Sequence, residues 1–522
     1  MSADASPIRR IGILLPCATA SFLLFYFAKP TLMLTAGTVL FVGLLLISFR
    51  WPETGTLVVL FSIYSNISVL AMRSASAIED SAGSADRNPR IIVVLVMLSL
   101  FLAIPLLYQM FVRKEPLIFD RGFALMLAFL TAGLASSLFT HDQGTLVNEI
   151  GDFLVEGVVL YFLLTNVIWD FSVLRRAIWA LVLAGSLMAG FSIYQKLTHT
   201  ETNNYGGFAQ VDFAVPVGPE EQETMDRMRA SGKVTAGGQA VGQVRLAGPI
   251  GGANEYGLIL LVLLPLAAVQ FRTESSRRWR ALALVAAGLI LTALVLTYSR
   301  GCMLAGIAVF GMMVWMRLLK PRHVLVSALG VGLLIGVLAP TIVTRMMTLG
   351  RLNSLFSNKI SGDQAPDSSV VHRYVLDLAA WHVFLDHPIF GVGPGQFAKH
   401  YSSDYVNRIG LIEQRKNYLA HNTYLEKLAE TGLLGSLFFL SILVAIMYGL
   451  WEQRKRLAQS RPELSLTATG FFLSLVVFAI SSAFAHLAYQ RYFWLLLALS
   501  SAATRILHNY SQTPAIDEPS FR

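Results

Sequence analysis

The chain has 522 residues, of which 55% are hydrophobic and only 14% charged, with a formal net charge of +9. A mean hydropathy of +0.58 excludes a soluble globular protein, and a basic excess in such a chain points to anionic lipid rather than nucleic acid. Two cysteines, Cys17 and Cys302, exclude a disulfide scaffold.

Taken in chain order, the apolar runs have the length of a bilayer-spanning helix, about 17–25 residues. They fall near 11–28, 31–48, 54–72, 91–112, 122–139, 153–169, 177–195, 255–271, 281–298, 302–318, 323–341, 432–450, 467–486 and 489–507. Backbone polar groups inside hydrocarbon must pair within their own segment, so the runs are helices. The expected fold is all-α, a polytopic membrane protein with about fourteen transmembrane helices. Residues 1–195 carry helices one to seven, 255–341 helices eight to eleven, and 432–522 the last three with a tail. The first run continues past Cys17 and is read as an uncleaved helix rather than a signal peptide.

Basic residues recur in alternate turns: Arg113, Lys114 and Arg121; Arg175 and Arg176; Arg272, Arg277, Arg278 and Arg280; Arg317, Lys320 and Arg322; then Arg454, Lys455, Arg456 and Arg461. The intervening short turns are poor in Lys and Arg, and 140–152 has none. The positive-inside rule then predicts both termini in the cytoplasm. The turn holding Ser299, Arg300 and Gly301, between the ninth and tenth runs, must be tight.

Two long segments fall on the opposite, outer side: 196–254, which ends in VRLAGPIGGANEYG, and 342–431. Connections of this length are commonly functional or disordered; the stretch 351–369 reads as flexible loop. In 370–386 the residues Val371, Tyr374, Val375, Leu378, Trp381, Val383, Phe384 and Leu385 follow a helical period, which predicts an amphipathic helix on the bilayer surface with Trp381 at headgroup level. Asp386-His387-Pro388 ends it. GVGPGQF (391–397) is a glycine-rich turn where backbone is expected to approach a ligand closely. Then comes AHNTYLEKLAETGLLG (420–435), which sets a His-Asn pair at the mouth of a membrane helix.

The order amphipathic helix, HPIFGVGPGQF, polar loop and HNTYLEKLAETGLLG resembles the carboxy-terminal region of the O-antigen ligase and O-antigen polymerase superfamily. TYSRG (297–301) and the Arg-Leu-x-Gly…Asn pattern of 245–254 extend the resemblance over about 245–440; the amino-terminal helices match only in being hydrophobic. The resemblance implies a glycosyltransferase of the bacterial inner membrane. Such enzymes take a glycan from undecaprenyl pyrophosphate at the periplasmic face and pass it, with inversion, to an acceptor sugar, without metal or cofactor. The acceptor is a second lipid-linked repeat unit in polymerases and the lipid A core in ligases, and a chain-length regulator is a possible partner. The large number of spans favours the polymerase.

A pyrophosphate leaving group develops negative charge, and an arginine fork meets phosphate oxygens without ever losing its proton. Arg300 is the first candidate, with Arg245 and Arg373 as further phosphate or sugar contacts. Arg491, beside Tyr489 and Trp494, is expected to anchor at the interface. A histidine titrates near working pH and can take the proton of an attacking hydroxyl. By resemblance and position His421 is that residue, with Asn422 and Tyr424 orienting it or the sugar. Asn254 either caps the eighth helix or binds sugar hydroxyls. Glu430 is expected to hold the junction of loop and helix, and Asp152 and Glu156 are expected to pair with an arginine. His372, His382, His387 and His400 are expected to be structural or interfacial. No group of residues has metal-ligand spacing. A flippase for lipid-linked sugars is the competing class; it would show internal repeats and charges at the midplane, whereas the informative residues cluster at one face.

Overall fold

The computed structural model describes residues 51–67, 101–140, 142–201, 203–214, 243–320, 368–410, 418–485 and 490–512, with a few isolated positions elsewhere. The expected runs 11–28, 31–48 and 323–341 lie almost wholly outside these residues, as do Cys17 and the 351–369 loop. Helices dominate: α1 (Pro52–Tyr64), α2 (Phe101–Arg113), α3 (Arg121–Ser136), α4 (Gln143–Val167), α5 (Phe171–Leu197), α6 (Ala253–Thr273), α7 (Arg277–Leu296), α8 (Arg300–Trp315), α9 (Ser368–Asp386), α10 (Ser402–Ile409), α11 (Thr423–Leu457), α12 (Pro462–Ser481) and α13 (Gln490–Gln512). Six of these, α4, α5, α6, α7, α11 and α12, are long and apolar enough to cross a membrane. Two strands, β1 (Gln210–Ala214) and β2 (Gln243–Gly248), form an antiparallel pair within the first long segment, where only loop was expected.

Local sequence sets where the helices begin. The carboxylates of Asp120, Asp142 and Asp170 accept the backbone N–H of Phe123, Thr145 and Val173 at the starts of α3, α4 and α5. Each satisfies a donor that the helix itself leaves open. Pro52 and Pro462 stand at the first positions of α1 and α12, where no N–H is needed.

The interior is built around α6, which is buried along most of its length and packs on α5, α7 and α12. It is cross-linked through its backbone: Tyr64 donates to the Ile259 carbonyl at 2.8 Å and Ser474 to that of Val262 at 2.8 Å. Without water, such hydroxyls must find acceptors inside the protein. Aromatic rings of α3, α4, α11 and α13 interlock beside it, with Trp494 against Phe153 at 5.0 Å and Phe493 at 4.8 Å.

The bundle has two chemically different ends. At one end Glu274 pairs with Arg175 at 2.6 Å and accepts Trp179 Nε1 at 2.8 Å, and Arg176 pairs with Glu53. Arg272 and Arg505 bond backbone carbonyls there, and the guanidiniums of Arg113 and Arg461 lie over Trp169 and Tyr510. Apart from Arg505, these arginines belong to the turns read as basic. The other end carries the β hairpin, α9, α10 and the start of α11.

Arg491 departs from its expected role. It is 7% exposed, donates to Asn66 Oδ1 at 2.6 Å, lies 3.7 Å from Glu156 and sits over Tyr492. It is an internal crosslink of α1, α4 and α13 rather than an interfacial anchor. Its aromatic neighbours along the chain are compatible with either role, and only the approach of Asn66 and Glu156 decides. Glu156 thereby finds an arginine, as its spacing suggested.

Candidate active site

The site is assembled at the hairpin end from α6, α8, α9, the start of α11 and β2. Arg245 projects from β2 opposite Asp212 in the strand register. It is 7% exposed, and its guanidinium donates to the Thr297 carbonyl at 2.9 Å and to Asn254 Oδ1 at 2.7 Å, with Asp212 Oδ2 at 3.5 Å. Burial lowers its pKa, and the negative charges of Asp212 and Glu255 oppose that shift. The Asn254 side chain therefore receives Arg245, while its backbone carbonyl accepts Cys302 Sγ at 3.3 Å. The α6 N-cap is Gly252, so Asn254 is not the cap of that helix.

Arg300 opens α8 after a turn of only three residues, Thr297, Tyr298 and Ser299. The turn is this short because Tyr298 takes a left-handed backbone (φ 51°) and Ser299 caps α8 through the Cys302 N–H. Arg300 acts electrostatically on Arg245, and Arg373 of α9 acts on Glu255 and Cys302. Three arginines from three separate elements thus share one neighbourhood with the carboxylates of Asp212 and Glu255.

His421 and Asn422 enter the same end through the turn after α12. The Thr423 N–H donates to the Ser482 carbonyl at 2.9 Å, and its hydroxyl to that of Ala485 at 2.8 Å. Phe484, in the same turn, stands over Gly301. The start of α11 and the Ser-Arg-Gly turn are therefore tied to one short segment. Asn422 is the N-cap of α11, accepting the N–H of Tyr424 at 3.0 Å and of Leu425 at 3.2 Å. Tyr424 donates to the Ala479 carbonyl at 2.7 Å, which fixes α11 against α12. Asn422 and Tyr424 hold the scaffold; His421 precedes the cap and is half-buried. The other histidines singled out have local partners: His372 lies edge-on to Tyr418, His382 Nδ1 meets the Leu378 carbonyl, His387 lies edge-on to Tyr401 and His400 reaches Asp142.

The glycine-rich turn packs its backbone against α11. That helix breaks at Gly432 (φ 61°, ψ −164°), and the opened backbone receives the loop. Val392 N–H bonds Ala429 O at 3.0 Å, Gly393 N–H bonds Glu430 O at 2.8 Å and Leu433 N–H bonds Pro388 O at 2.8 Å. Glu430 also accepts the Gly395 N–H at 2.9 Å, so it does join loop to helix. Lys427 bridges Glu430 at 2.9 Å and Glu426 at 3.7 Å, all three buried. Asp142, at the start of α4, clips the far side of the loop. Lys399, hydrogen bonds from Thr145 and His400 hold its carboxyl well below the usual range.

Sequence reasoning did not single out Asp212, Glu255, Thr297 or Asp377. Asp212 was legible only as a cross-strand partner once the hairpin existed, and Glu255 only as the neighbour of Asn254. Among the described residues no group of three His, Cys, Asp or Glu side chains has the arrangement of a metal site.

Residues 285–440 match the family model described as O-antigen ligase. That segment includes Arg300, Arg373, His421 and Asn422, while Arg245 and Asn254 precede it. The chain is also 29% identical over 246 residues to the teichuronic acid biosynthesis protein TuaE of Bacillus subtilis, a match covering 45% of this chain and 48% of that protein. The chain thus spans about half the length of the curated relative it matches. By this segment and the motifs within it, the chain is similar to the O-antigen ligase and polymerase superfamily over its carboxy-terminal part.

Proposed function

We propose that this chain is a glycosyltransferase of the bacterial inner membrane that moves a glycan from undecaprenyl pyrophosphate to an acceptor sugar hydroxyl at the periplasmic face, inverting the anomeric carbon. The observation that carries the reading is the shared electrostatic neighbourhood of Arg245, Arg300 and Arg373 at the bundle end where His421 precedes the cap of α11. Arg245 has its donors committed to Thr297, Asn254 and Asp212, so it frames the site. Arg300 and Arg373 then meet the charge that grows on the departing pyrophosphate. Asn254 stays close enough to share a sugar hydroxyl with Arg245. His421 takes the proton of the attacking hydroxyl as the new glycosidic bond forms.

The polymerase reaction, with a second lipid-linked repeat unit as acceptor, is the leading form, and a chain-length regulator would be its natural partner. The ligase reaction onto lipid A core is the second reading, favoured by the description of the matched family. Purified protein supplied with lipid-linked repeat units separates the two: ladders formed without lipid A core mean polymerase, and product formed only with that core means ligase. Arg300→Ala and His421→Ala should each lower transfer by at least about 100-fold while thermal unfolding stays that of the wild type. Full activity in both variants would sink the assignment.

A further inference from the structure

Asp377 lies on α9 one helical turn after Arg373, so the two side chains share a face. One of its carboxylate oxygens, Oδ1, is buried and has no hydrogen-bond partner among the described residues. Two other carboxylates, Glu53 and Glu426, also carry such a buried oxygen, but each belongs to an ion pair, with Arg176 and Lys427. For Asp377 no ion pair is found among the described residues. Among the described residues, Arg373 acts on it electrostatically. A buried carboxylate oxygen without a donor is costly, and native proteins keep such groups where a ligand or water completes them. Burial pushes this carboxyl up to about 6, with Arg373 pulling the other way.

We propose that Asp377 is a sugar-binding residue, its open oxygen accepting a hydrogen bond from a hydroxyl of the glycan whose pyrophosphate is met by Arg373. The assignment rests on the glycosyltransferase reading above and adds to it a contact with the sugar itself. A carboxylate is a strong acceptor for a hydroxyl, and the adjacent guanidinium keeps it ionised at neutral pH. On the same face of one helix, an arginine for phosphate and an aspartate for hydroxyl would read the two chemically distinct halves of a glycosyl pyrophosphate together.

The test measures transfer by the purified full-length chain from undecaprenyl-pyrophosphate-linked repeat units at pH values across about 5 to 8, bracketing the carboxyl. Wild type is compared with Asp377→Ala, Asp377→Asn and Asp377→Glu. The expected result is a KM raised at least about tenfold in Asp377→Ala, with a smaller change in kcat and an unchanged thermal midpoint. Wild-type KM should rise as pH falls through about 6, because the carboxylate that accepts the hydroxyl is then protonated. Asp377→Asn should lose that pH dependence, and Asp377→Glu should restore part of it. If Asp377→Ala does not fold, the near-isosteric Asn variant carries the test through its pH profile. Unchanged KM and an unchanged pH profile in an active enzyme overturn the assignment alone. An inactive wild type overturns the glycosyltransferase reading, and this assignment with it.

Discussion

Lys427 shows how much a single residue decides at this site. Its ammonium is buried between Glu426 and Glu430, and Glu430 in turn holds the Gly395 N–H of the glycine loop. Removing the cation would leave carboxylates buried without their partner, which typically costs about 3–5 kcal/mol. Lys427→Ala should therefore lower the thermal midpoint of the detergent-solubilised protein markedly, whereas Lys427→Arg should recover most of the loss. An Ala variant as stable as wild type would show that the carboxylates are neutral without the lysine. None of this was legible in the sequence beyond Glu430. Lys427 reads there as one charge among several at the head of a helix, and its burial follows only when the loop folds over it. Arg300 and Arg245 were legible, because arginines beside apolar runs need a partner wherever they lie. What they bind within the fold was not: the Thr297 carbonyl and Asn254 reach Arg245 only through the hairpin.

At the scale of elements, hydrophobic runs located the described helices but misjudged where they act. The run expected at 432–450 belongs to a helix that starts at Thr423 and breaks at Gly432. The break arises because Gly432 takes a left-handed φ of 61° and the Ile389 carbonyl lies where a side chain would begin. Gly391 (φ 71°) is pressed in the same way against the Glu430 backbone. Gly432→Ala should cost at least about 1–3 kcal/mol in backbone strain and release the loop at 388–397. Faster hydrogen exchange at Val392 and Gly393 in the variant would register the release, and unchanged protection there would refute it. The amphipathic helix was also expected, and its protein-facing side was not specified by the sequence. Val375, Leu376, Ala379, Ala380 and Val383 pack under α10 and α11, while Tyr374, Trp381 and Leu385 stay exposed. Helical period alone does not separate the residues that face protein from those that face the bilayer surface. Close packing against α11 instead selects the alanines, and the bulky stripe is left outside, where a bilayer surface was expected.

For the whole molecule, the described helices alternate between a basic end and the hairpin end, in keeping with the charge pattern of the turns. The orientation relative to the cell follows from the positive-inside rule and is open to direct measurement. In a Cys17→Ser background, Gly144→Cys should react with a membrane-impermeant thiol reagent in intact spheroplasts and Gln459→Cys only after lysis; both positions are exposed, and Cys302 is buried. The reverse labelling pattern would place the site in the cytoplasm. Composition, the length of the apolar runs and the spacing of basic turns were enough by themselves for an all-α membrane fold, since hydrocarbon admits few backbone solutions, and a local motif such as HNTYLEKLAETG was enough for the family resemblance. Which arginines meet, which glycines receive another backbone and which carboxylate is left without a donor depend on contacts between residues far apart in the chain. Asp142 clips a loop more than 250 positions away through Gln396, and Arg491 reaches Asn66 across 425 positions. No local pattern encodes such distances, so only the tertiary structure decided them.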